Sequence, residues 1–146
     1  MLKIIKYTHE YRGDMLFCYL LAKDALGEIP RLRNDLLDIQ KYYFDRNDMF
    51  WIAINDENRV VGMVGTSTVS ETDIWLKRLF IKPNVKRSGI ASALLDVVVE
   101  YAKAKGVLSI HTRFNDNYIE ASRFYSSKGF VESERSDGLR HFIKIT

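Results

Sequence analysis

Apolar positions in the first third of the chain repeat with the period of amphipathic helices. Residues 2–7 form a short, largely apolar stretch that predicts an opening strand, and residues 11–26 predict a first helix that ends at Gly27. Asn34 is placed to cap a second helix that runs to about residue 44. The opening of the chain is therefore predicted as one strand followed by two helices.

From residue 50 onward the period changes to that of strands. Residues 50–54 and 59–70 flank a polar turn and predict a hairpin. The later segments are predicted as strand 73–82, helix 88–105, strand 107–113, helix 117–128, and strands 130–134 and 139–145. The order β-α-α-β-β-β-α-β-α-β-β predicts an α/β (α+β) fold with a mixed, mostly antiparallel central sheet and flanking helices. No linker or repeat interrupts this order, so we predict one domain over residues 1–146.

Composition narrows the class of protein. The chain has 146 residues, 47% of them hydrophobic and 28% charged, with a net charge of +3, which is typical of a globular domain. Its basic residues are scattered, so no nucleic acid is expected as a partner. No apolar stretch approaches the roughly 18 residues of a membrane span, so no membrane partner is expected. The one cysteine, Cys18, predicts a buried, unreactive thiol, and with no secretory signal visible we expect a cytoplasmic protein.

The most informative segment is the junction between the third predicted strand of the middle region and the helix after it. Small residues, Ser88, Gly89 and Ala91, lie where the helix begins. Backbone N–H groups at a helix start lack intrahelical partners, and small residues let an anion approach them closely. Lys86 and Arg87 add positive charge at the same place. The junction therefore predicts a phosphate site, and a pyrophosphate suits it best.

This junction also resembles a known sequence signature. The window Lys86, Arg87, Ser88, Gly89, Ile90, Ala91 is similar to the acetyl-CoA signature of the GNAT superfamily of N-acetyltransferases, although Lys86 stands where Arg or Gln is usual. A second block, from Ala121 through Tyr125 to Gly129 and Phe130, resembles the superfamily pattern Ala-x-x-x-Tyr-x-x-x-Gly-Phe. The two blocks in this order imply an acyl-CoA N-acyltransferase-like fold.

The resemblance implies acetyl-CoA as the co-substrate. No metal is expected, because His9, His111 and His141 have no paired spacing and the one cysteine is isolated. It assigns the Leu79 N–H to the thioester carbonyl as a one-donor oxyanion site, and the Ile81 backbone to the pantetheine amides. It assigns the pyrophosphate to the backbone of the residues around the helix start. The implied cofactor-binding residues are Leu79, Phe80, Ile81, Lys86, Arg87, Ser88, Gly89, Ile90, Ala91, Ser92, Asn117, Tyr118 and Tyr125.

Tyr125 is the residue that the resemblance assigns to the leaving group. Coenzyme A leaves as a thiolate, which a phenol within hydrogen-bond reach can protonate. The alternative is that the Tyr125 ring only packs with Phe124 and Phe130. The superfamily usually has an Asn three residues before the helix alanine, where this chain has Tyr118. Either one of the asparagines just upstream, Asn117 or Asn115, takes that role after a small shift, or Tyr118 stacks near the pantetheine.

The general base is not predicted as a single residue. Many members of the superfamily carry a Glu on the bulged strand four residues before the Leu79 position, where this chain has Trp75. Asp73 lies two residues earlier, and His111 and His141 lie on predicted strands that would border the acceptor cleft. A water chain, or binding of the amine in its neutral form, is an equal alternative.

The function that the resemblance implies is acetyl transfer to a primary amine of a small molecule or peptide, by direct attack in a ternary complex. The alternative is a non-catalytic acyl-CoA-binding or sensing module, favoured by Trp75 in place of the strand carboxylate. Arg78 would let the cleft prefer an amine that carries a carboxylate, or else it points outward from the sheet into solvent. Dimers are common in the superfamily, so a homodimer is compatible with the resemblance.

Overall fold

The computed structural model describes residues 2–85 and 88–146. Its helices are α1 (Arg12–Ala25), α2 (Asn34–Leu37), α3 (Ile39–Tyr42), α4 (Ile90–Lys105) and α5 (Ile119–Ser127). Its strands are β1 (Lys3–Lys6), β2 (Phe50–Ile54), β3 (Val60–Thr68), β4 (Asp73–Ile81), β5 (Ser109–Asn115), β6 (Val131–Ser136) and β7 (Leu139–Ile145). The strand order is β1-β2-β3-β4-β5-β7-β6. The pair β4–β5 is parallel, whereas β1–β2, β2–β3, β5–β7 and β6–β7 are antiparallel, which confirms the predicted mixed, mostly antiparallel sheet.

The chain divides into two compact units. The first comprises Met1–Ser67 and Lys77–Val98, and the second comprises Thr68–Leu76 and Val99–Thr146. Strand β4 and helix α4 therefore each contribute residues to both units. The prediction of one domain over the whole chain stays a prediction.

The first unit has its core around β2. All five residues of β2 are buried, which explains why this strand is an uninterrupted apolar run rather than an alternating one. Met15 and Tyr19 of α1 belong to the same buried cluster as Phe50 and Ile52. Cys18 also lies in this core, and burial raises the pKa of its thiol to about 12. The predicted burial of the thiol is confirmed.

The second unit is a sheet whose two faces differ. On one face the residues of β4, β5 and β7 are buried: Ile74, Leu76, Ile110, Thr112 and Phe142. Side chains alternate between the faces of a strand, so the intervening residues lie on the opposite face. These are Asp73, Trp75, His111, Arg113 and His141, all of them partly or fully accessible to solvent. We call this second surface the open face.

The predicted second helix is broken into two at Asp38. This residue has φ −144° and ψ 78°, between α2 and α3. Its side chain accepts a hydrogen bond from the Lys41 N–H at 3.1 Å, and a short carboxylate that caps one helix competes with continuation of the previous one. The prediction that Asn34 caps the helix is wrong, because Asn34 is the first helical residue and Arg33 precedes it in an extended conformation.

The start of β5 also differs from the prediction. Strand β5 begins at Ser109 rather than at residue 107. The Val107 N–H donates to the Ala102 carbonyl at 2.9 Å and the Gly106 N–H to the Lys103 carbonyl at 3.1 Å. This pair of bonds is the Schellman ending of a helix. Because Val107 is hydrogen-bonded to the end of α4, the strand begins two residues later than predicted.

Candidate active site

Strand β4 carries a left-handed residue in its middle. Arg78 has φ +57°, a conformation that costs a non-glycine residue on the order of 1–3 kcal/mol. Before it, Ile74 and Leu76 are buried in alternation; after it, Leu79, Phe80 and Ile81 are all partly buried. The regular alternation of the strand therefore ends next to Leu79, the residue expected to hold the thioester carbonyl.

A network of side chains holds Arg78 in this conformation. Its Nε and Nη2 atoms donate to the two carboxylate oxygens of Asp35 at 3.0 and 2.8 Å, and the Tyr43 hydroxyl donates to the same carboxylate at 2.6 Å. Burial alone would raise the pKa of Asp35, but the hydrogen bonds from Arg78 and Tyr43 outweigh it and hold the pKa below its ordinary value. We call Asp35, Arg78 and Tyr43 the arginine network.

The arginine network contradicts the expected role of Arg78 as a clamp for a carboxylated acceptor. The guanidinium fork binds a carboxylate with two parallel hydrogen bonds, and Asp35 of the same chain already accepts both. Arg78 also lies over the ring of Tyr19, 5.7 Å from its centroid. The side chain does not simply point into solvent either, so both interpretations of Arg78 from the sequence are wrong.

The end of β4 packs closely against the start of α4. A Cβ atom built on Gly62 of β3 would lie 3.0 Å from side-chain atoms of Ile81, Ile90 and Leu94. Such distances are below ordinary contact, so only a glycine lets these three side chains converge there. Phe80 points elsewhere, and its ring meets the Tyr19 ring edge-on at 5.1 Å. The strand and the helix that were expected to hold the cofactor are thus fixed by packing in one unit.

Helix α4 begins at Ile90, two residues after the predicted start at Ser88. The reason is Gly89, whose φ of +83° is not helical, and a Cβ at Gly89 would have no neighbour within 4 Å. The Gly89 carbonyl accepts the Ala93 N–H at 3.0 Å, so the N–H groups of Ile90, Ala91 and Ser92 lie in the first turn, where no intrahelical acceptor exists. The predicted site residues Lys86 and Arg87 lie outside the described residues.

Tyr125 is buried among aromatic rings in the second unit. Its ring stacks on Phe114 at 5.6 Å and meets Phe124 and Phe130 edge-on at 5.3 and 5.1 Å. Its hydroxyl forms a hydrogen bond with Thr112, but burial dominates and raises the pKa of the phenol to about 12. The ring packing named as the alternative is therefore present. The hydroxyl is protonated at neutral pH, so it can donate a proton but is not a base.

The second sequence block is also a helix ending. The Phe130 N–H donates to the Tyr125 carbonyl at 3.0 Å and the Gly129 N–H to the Ser126 carbonyl at 3.2 Å. These are the two bonds of a Schellman motif, in which the first and last residues commonly share an apolar contact. The Tyr125–Phe130 ring pair is that contact. The spacing from Tyr125 to Phe130 therefore has a structural cause of its own.

Asn117 and Tyr118 lie just before α5, which begins at Ile119 rather than near residue 117. The Tyr118 N–H donates to the Asn115 carbonyl, and the Ile119 N–H to the Asn117 carbonyl, both at 3.0 Å. Tyr118 occupies the N-cap position without a capping bond from its side chain. Which of the two residues contacts the cofactor stays a prediction.

On the open face, three residues considered separately in the sequence form one chain of hydrogen bonds. His111 Nε2 lies 2.8 Å from Asp73 Oδ1, and His111 Nδ1 lies 2.9 Å from His141 Nε2. The Trp75 ring stacks on His141 at 5.0 Å and lies 5.3 Å from His111. We call Asp73, His111 and His141 the histidine relay. The strand register brings these residues together, because it places His111 opposite Trp75 and His141 opposite Arg113.

Residues 2–85 and 88–146 contain neither a metal-binding cluster nor a membrane-spanning helix. No group of three or more His, Cys, Asp or Glu side chains there is arranged to hold a metal ion. Among the same residues, no helix combines the length and the apolar composition that crossing a bilayer requires.

Comparison with known proteins identifies the relatives of this chain. Residues 46–132 match the family model of the acetyltransferase (GNAT) domain. The chain is 33% identical over 126 residues to N-acetyltransferase 8 of Homo sapiens, which covers 81% of this chain and 55% of that protein. It is 33% identical over 119 residues to N-acetylaspartate synthetase of Xenopus tropicalis, and the aligned region covers 77% of this chain and 44% of that protein. The chain thus spans about half the length of the curated relatives it matches.

Solved structures show the same fold. An acetyltransferase of the GNAT family from Staphylococcus aureus superimposes with a TM-score of 0.90 at 26% identity, covering 99% of both chains. The PaiA N-acetyltransferase of Thermoplasma acidophilum, solved in complex with coenzyme A, superimposes with a TM-score of 0.82 at 16% identity, covering 100% of this chain and 99% of that one. The family match spans β4, α4 and α5 but excludes Asp35, Tyr43 and His141.

Proposed function

The chain belongs to the GNAT acetyltransferase family, and on that premise we propose that it transfers the acetyl group of acetyl-CoA to a primary amine of a small molecule or peptide. The amine attacks the thioester directly while both substrates are bound. The observation that carries the proposal is the family match over residues 46–132, which includes the interrupted strand β4 and the start of α4. The protein would act mainly by holding the reactants and stabilising developing charge.

Acetyl-CoA is proposed to bind along β4 and the start of α4. The Leu79 N–H would donate to the thioester carbonyl and face the negative charge of the tetrahedral intermediate, and the Ile81 backbone would bond the pantetheine arm. The left-handed Arg78 and the packing at Gly62 support this, since both fix the backbone there before any ligand binds. The first-turn N–H groups of α4 suit a pyrophosphate. The remaining proposed cofactor contacts are Phe80, Lys86, Arg87, Ser88, Gly89, Ile90, Ala91, Ser92, Asn117 and Tyr118.

Tyr125 is proposed to donate the proton that coenzyme A takes as it leaves. The raised pKa of its phenol keeps the proton in place at neutral pH, so the hydroxyl can donate a hydrogen bond that stabilises the departing thiolate, and any proton it passes to the sulfur is replaced from solvent. In this mechanism the Tyr125 hydroxyl exchanges its bond with Thr112 for one with the sulfur. The ring packing then orients the acid rather than replacing it.

A turnover assay tests the proposal. The purified chain is titrated with acetyl-CoA by calorimetry and then incubated with acetyl-CoA and a panel of amines, and free coenzyme A thiol is measured. Binding together with amine-dependent thiol release is the expected result. Binding without release from any amine would instead favour the non-catalytic acyl-CoA-binding module, for which Trp75 in place of a strand carboxylate is the supporting observation.

The amine panel is built in matched pairs. One relative is named N-acetylaspartate synthetase, so aspartate is included together with β-alanine, which lacks its α-carboxylate. Short peptides with a free N-terminus are paired with blocked versions. Because the Arg78 fork is bound to Asp35, we expect Arg78 to contribute nothing to a preference for the carboxylated member of a pair.

A further inference from the structure

The histidine relay is a directional arrangement of proton donors and acceptors. The Asp73 carboxylate can only accept, so His111 Nε2 donates to it across 2.8 Å. With both imidazoles neutral, His111 Nδ1 must then accept from His141 Nε2, the second bond, of 2.9 Å. Of the two unprotonated ring nitrogens, His111 Nδ1 is used within the relay and His141 Nδ1 is the one that faces outward from it. The relay therefore ends in a proton acceptor.

The charge at the far end of the relay is fixed. Hydrogen bonds from Thr72, His111 and Ser70 hold the pKa of Asp73 below its ordinary value. Asp73 is thus ionised at neutral pH and attracts the positive charge that His111 and His141 share after accepting a proton. A carboxylate that orients one imidazole and stabilises its protonated form is a recurring device for general bases.

The near end of the relay opens into a small cavity. His141 lines a cavity of about 80 Å³ together with Arg113, Glu134, Ser136, Asp137 and Leu139. Glu134 is the residue opposite His141 in the β6–β7 pairing, and Arg113 is opposite His141 in the β5–β7 pairing. The cavity therefore offers a carboxylate to an approaching ammonium group and lets water reach His141.

We propose that His141, backed by His111 and Asp73, is the general base that removes a proton from the acceptor amine. The inference rests on the proposed acetyl transfer. The amine nitrogen forms its bond to the acetyl carbon to give the tetrahedral intermediate, which collapses by breaking the C–S bond, with the electron pair going to sulfur. An ammonium substrate loses two protons in becoming an amide: one ends on the coenzyme A sulfur, and the other passes through His141 to solvent in the cavity.

The surroundings keep the relay able to accept a proton at neutral pH. Burial lowers the pKa of His141, and the positive charges of His111 and Arg113 lower it further, whereas Glu134 acts in the opposite direction. His141 is therefore mostly neutral at pH 7 and becomes protonated only in more acidic solution. The expected result is an acid limb in the pH profile of kcat/KM that lies below pH 7.

The test compares His111→Gln, His141→Gln and Asp73→Asn with the wild-type protein, with His9→Gln as the matched control. His9, the third histidine, lies in a short turn before α1. Each relay variant is expected to lower kcat by about 10²-fold at pH 7, with acetyl-CoA affinity within twofold of wild type. The double variant of both histidines should be no worse than either single one, because members of a unit are not additive. His9→Gln should be unchanged.

The pH profile distinguishes a chemical role from a structural one. The relay variants should lose the acid limb that lies below pH 7. Their activity should instead rise toward about pH 9–10, where more of the amine is neutral without a general base. A relay variant that keeps both the wild-type kcat and the acid limb would overturn the proposal while leaving acetyl transfer standing. A wild-type protein that binds acetyl-CoA but acetylates no amine would overturn both.

Histidine NMR titration keeps the test valid if a variant folds poorly. In the wild-type protein the His141 ring should titrate below its ordinary pKa. Asp73→Asn, which preserves the shape of the side chain, should change the ring NMR signals of both His111 and His141 but not those of His9. Independent titration of the two rings, with no response to Asp73→Asn, would show that no relay exists in solution.

Discussion

Strand β4 contributes to two polar networks of opposite character. Its second half carries Arg78, bound to Asp35 and Tyr43, and its first half carries Asp73, bound to His111 and through it to His141. Each network contains one carboxylate, which is central in the arginine network and terminal in the histidine relay. In the arginine network the carboxylate is bound to a guanidinium, which stays charged, whereas in the histidine relay it is bound to an imidazole, a side chain that can be neutral or charged.

The difference indicates what each network can do. A permanently charged, half-buried pair can fix a backbone conformation, and it does so at the left-handed Arg78. Groups that gain and lose a proton near pH 7 are suited to catalysis instead, and the histidine relay lies on the open face. The same strand thus holds one rigid network and one network able to carry protons.

The largest expected effect comes from breaking the arginine network. Arg78→Ala leaves the Asp35 carboxylate half-buried without its partner and keeps a left-handed non-glycine residue, so the free energy of unfolding should fall by about 3 kcal/mol. Arg78→Gly removes the same side chain but relaxes the backbone, so it should be more stable than Arg78→Ala by about 1 kcal/mol. Urea unfolding measures both. Equal stability of the two variants would show that no backbone strain is held at Arg78.

The next effect tests chemistry in the second unit away from the relay. Tyr125→Phe keeps the ring contacts and deletes the hydroxyl, so kcat should fall by about 10²-fold while acetyl-CoA affinity changes little. The acid limb assigned to His141 should remain, because the leaving group and the amine are proposed to be served by different residues. Steady-state kinetics over pH check this. A wild-type kcat in Tyr125→Phe would mean that water or another group protonates the thiolate.

A smaller effect is expected at the start of α4, outside both networks. Gly89→Val forces a β-branched residue into a φ of +83° and blocks close backbone approach to an anion, so acetyl-CoA affinity should fall at least tenfold, or about 1.4 kcal/mol. Gly89→Asn is the control, since Asn tolerates left-handed φ. Calorimetry measures the affinity, and thermal melting checks the fold. A folded Gly89→Val protein with normal affinity would remove Gly89 from the cofactor site.

The smallest effect distinguishes the two networks by their pH dependence. The pKa of His141 is lowered in the folded state, so its stabilising contribution is present above the ordinary histidine pKa of about 6.5 and is lost as pH falls through the folded value. The pKa of Asp35 is also lowered, but from an ordinary value of about 3.9, so its contribution is lost only in strong acid. Lowering the pH from 8 to 5 should therefore decrease the urea midpoint of the wild-type protein more than that of His141→Gln. The same change of pH should decrease the midpoints of the wild-type protein and Asp35→Asn by equal amounts.

The elements that sequence predicts well here are those that local pattern determines. Strands β2 and β7 have the predicted bounds, because an apolar run and a Gly-containing turn define them locally. The helix break at Asp38 was missed because a single side-chain bond to the Lys41 N–H outweighs an apolar periodicity that continues across it.

The candidate site was predictable only in part, for a different reason. The residues from Leu79 to Ser92 could be proposed as cofactor contacts because their spacing is a local signature, and that assignment stays a prediction. The Asp35–Arg78 pair and the His111–His141 pair join residues 43 and 30 positions apart, and strand register decides both the facing direction and the partner. A left-handed arginine inside a strand has no sequence signal at all, since its cause is a side chain elsewhere in the fold.

The hairpin of β6 and β7 has both of its ends tied to the rest of the second unit. Its entry is fixed by the Phe130 N–H bond to the Tyr125 carbonyl, and its exit by the Thr146 N–H bond to the Leu108 carbonyl at 2.9 Å. A hairpin whose two ends are fixed by hydrogen bonds can be replaced as one unit, because the same bonds orient the hairpin that replaces it. Glu134 and His141 belong to this hairpin, whereas residues 79–92 lie outside it. Hairpin grafting between homologues is thus a route for engineering new amine selectivity without rebuilding the region proposed to hold acetyl-CoA.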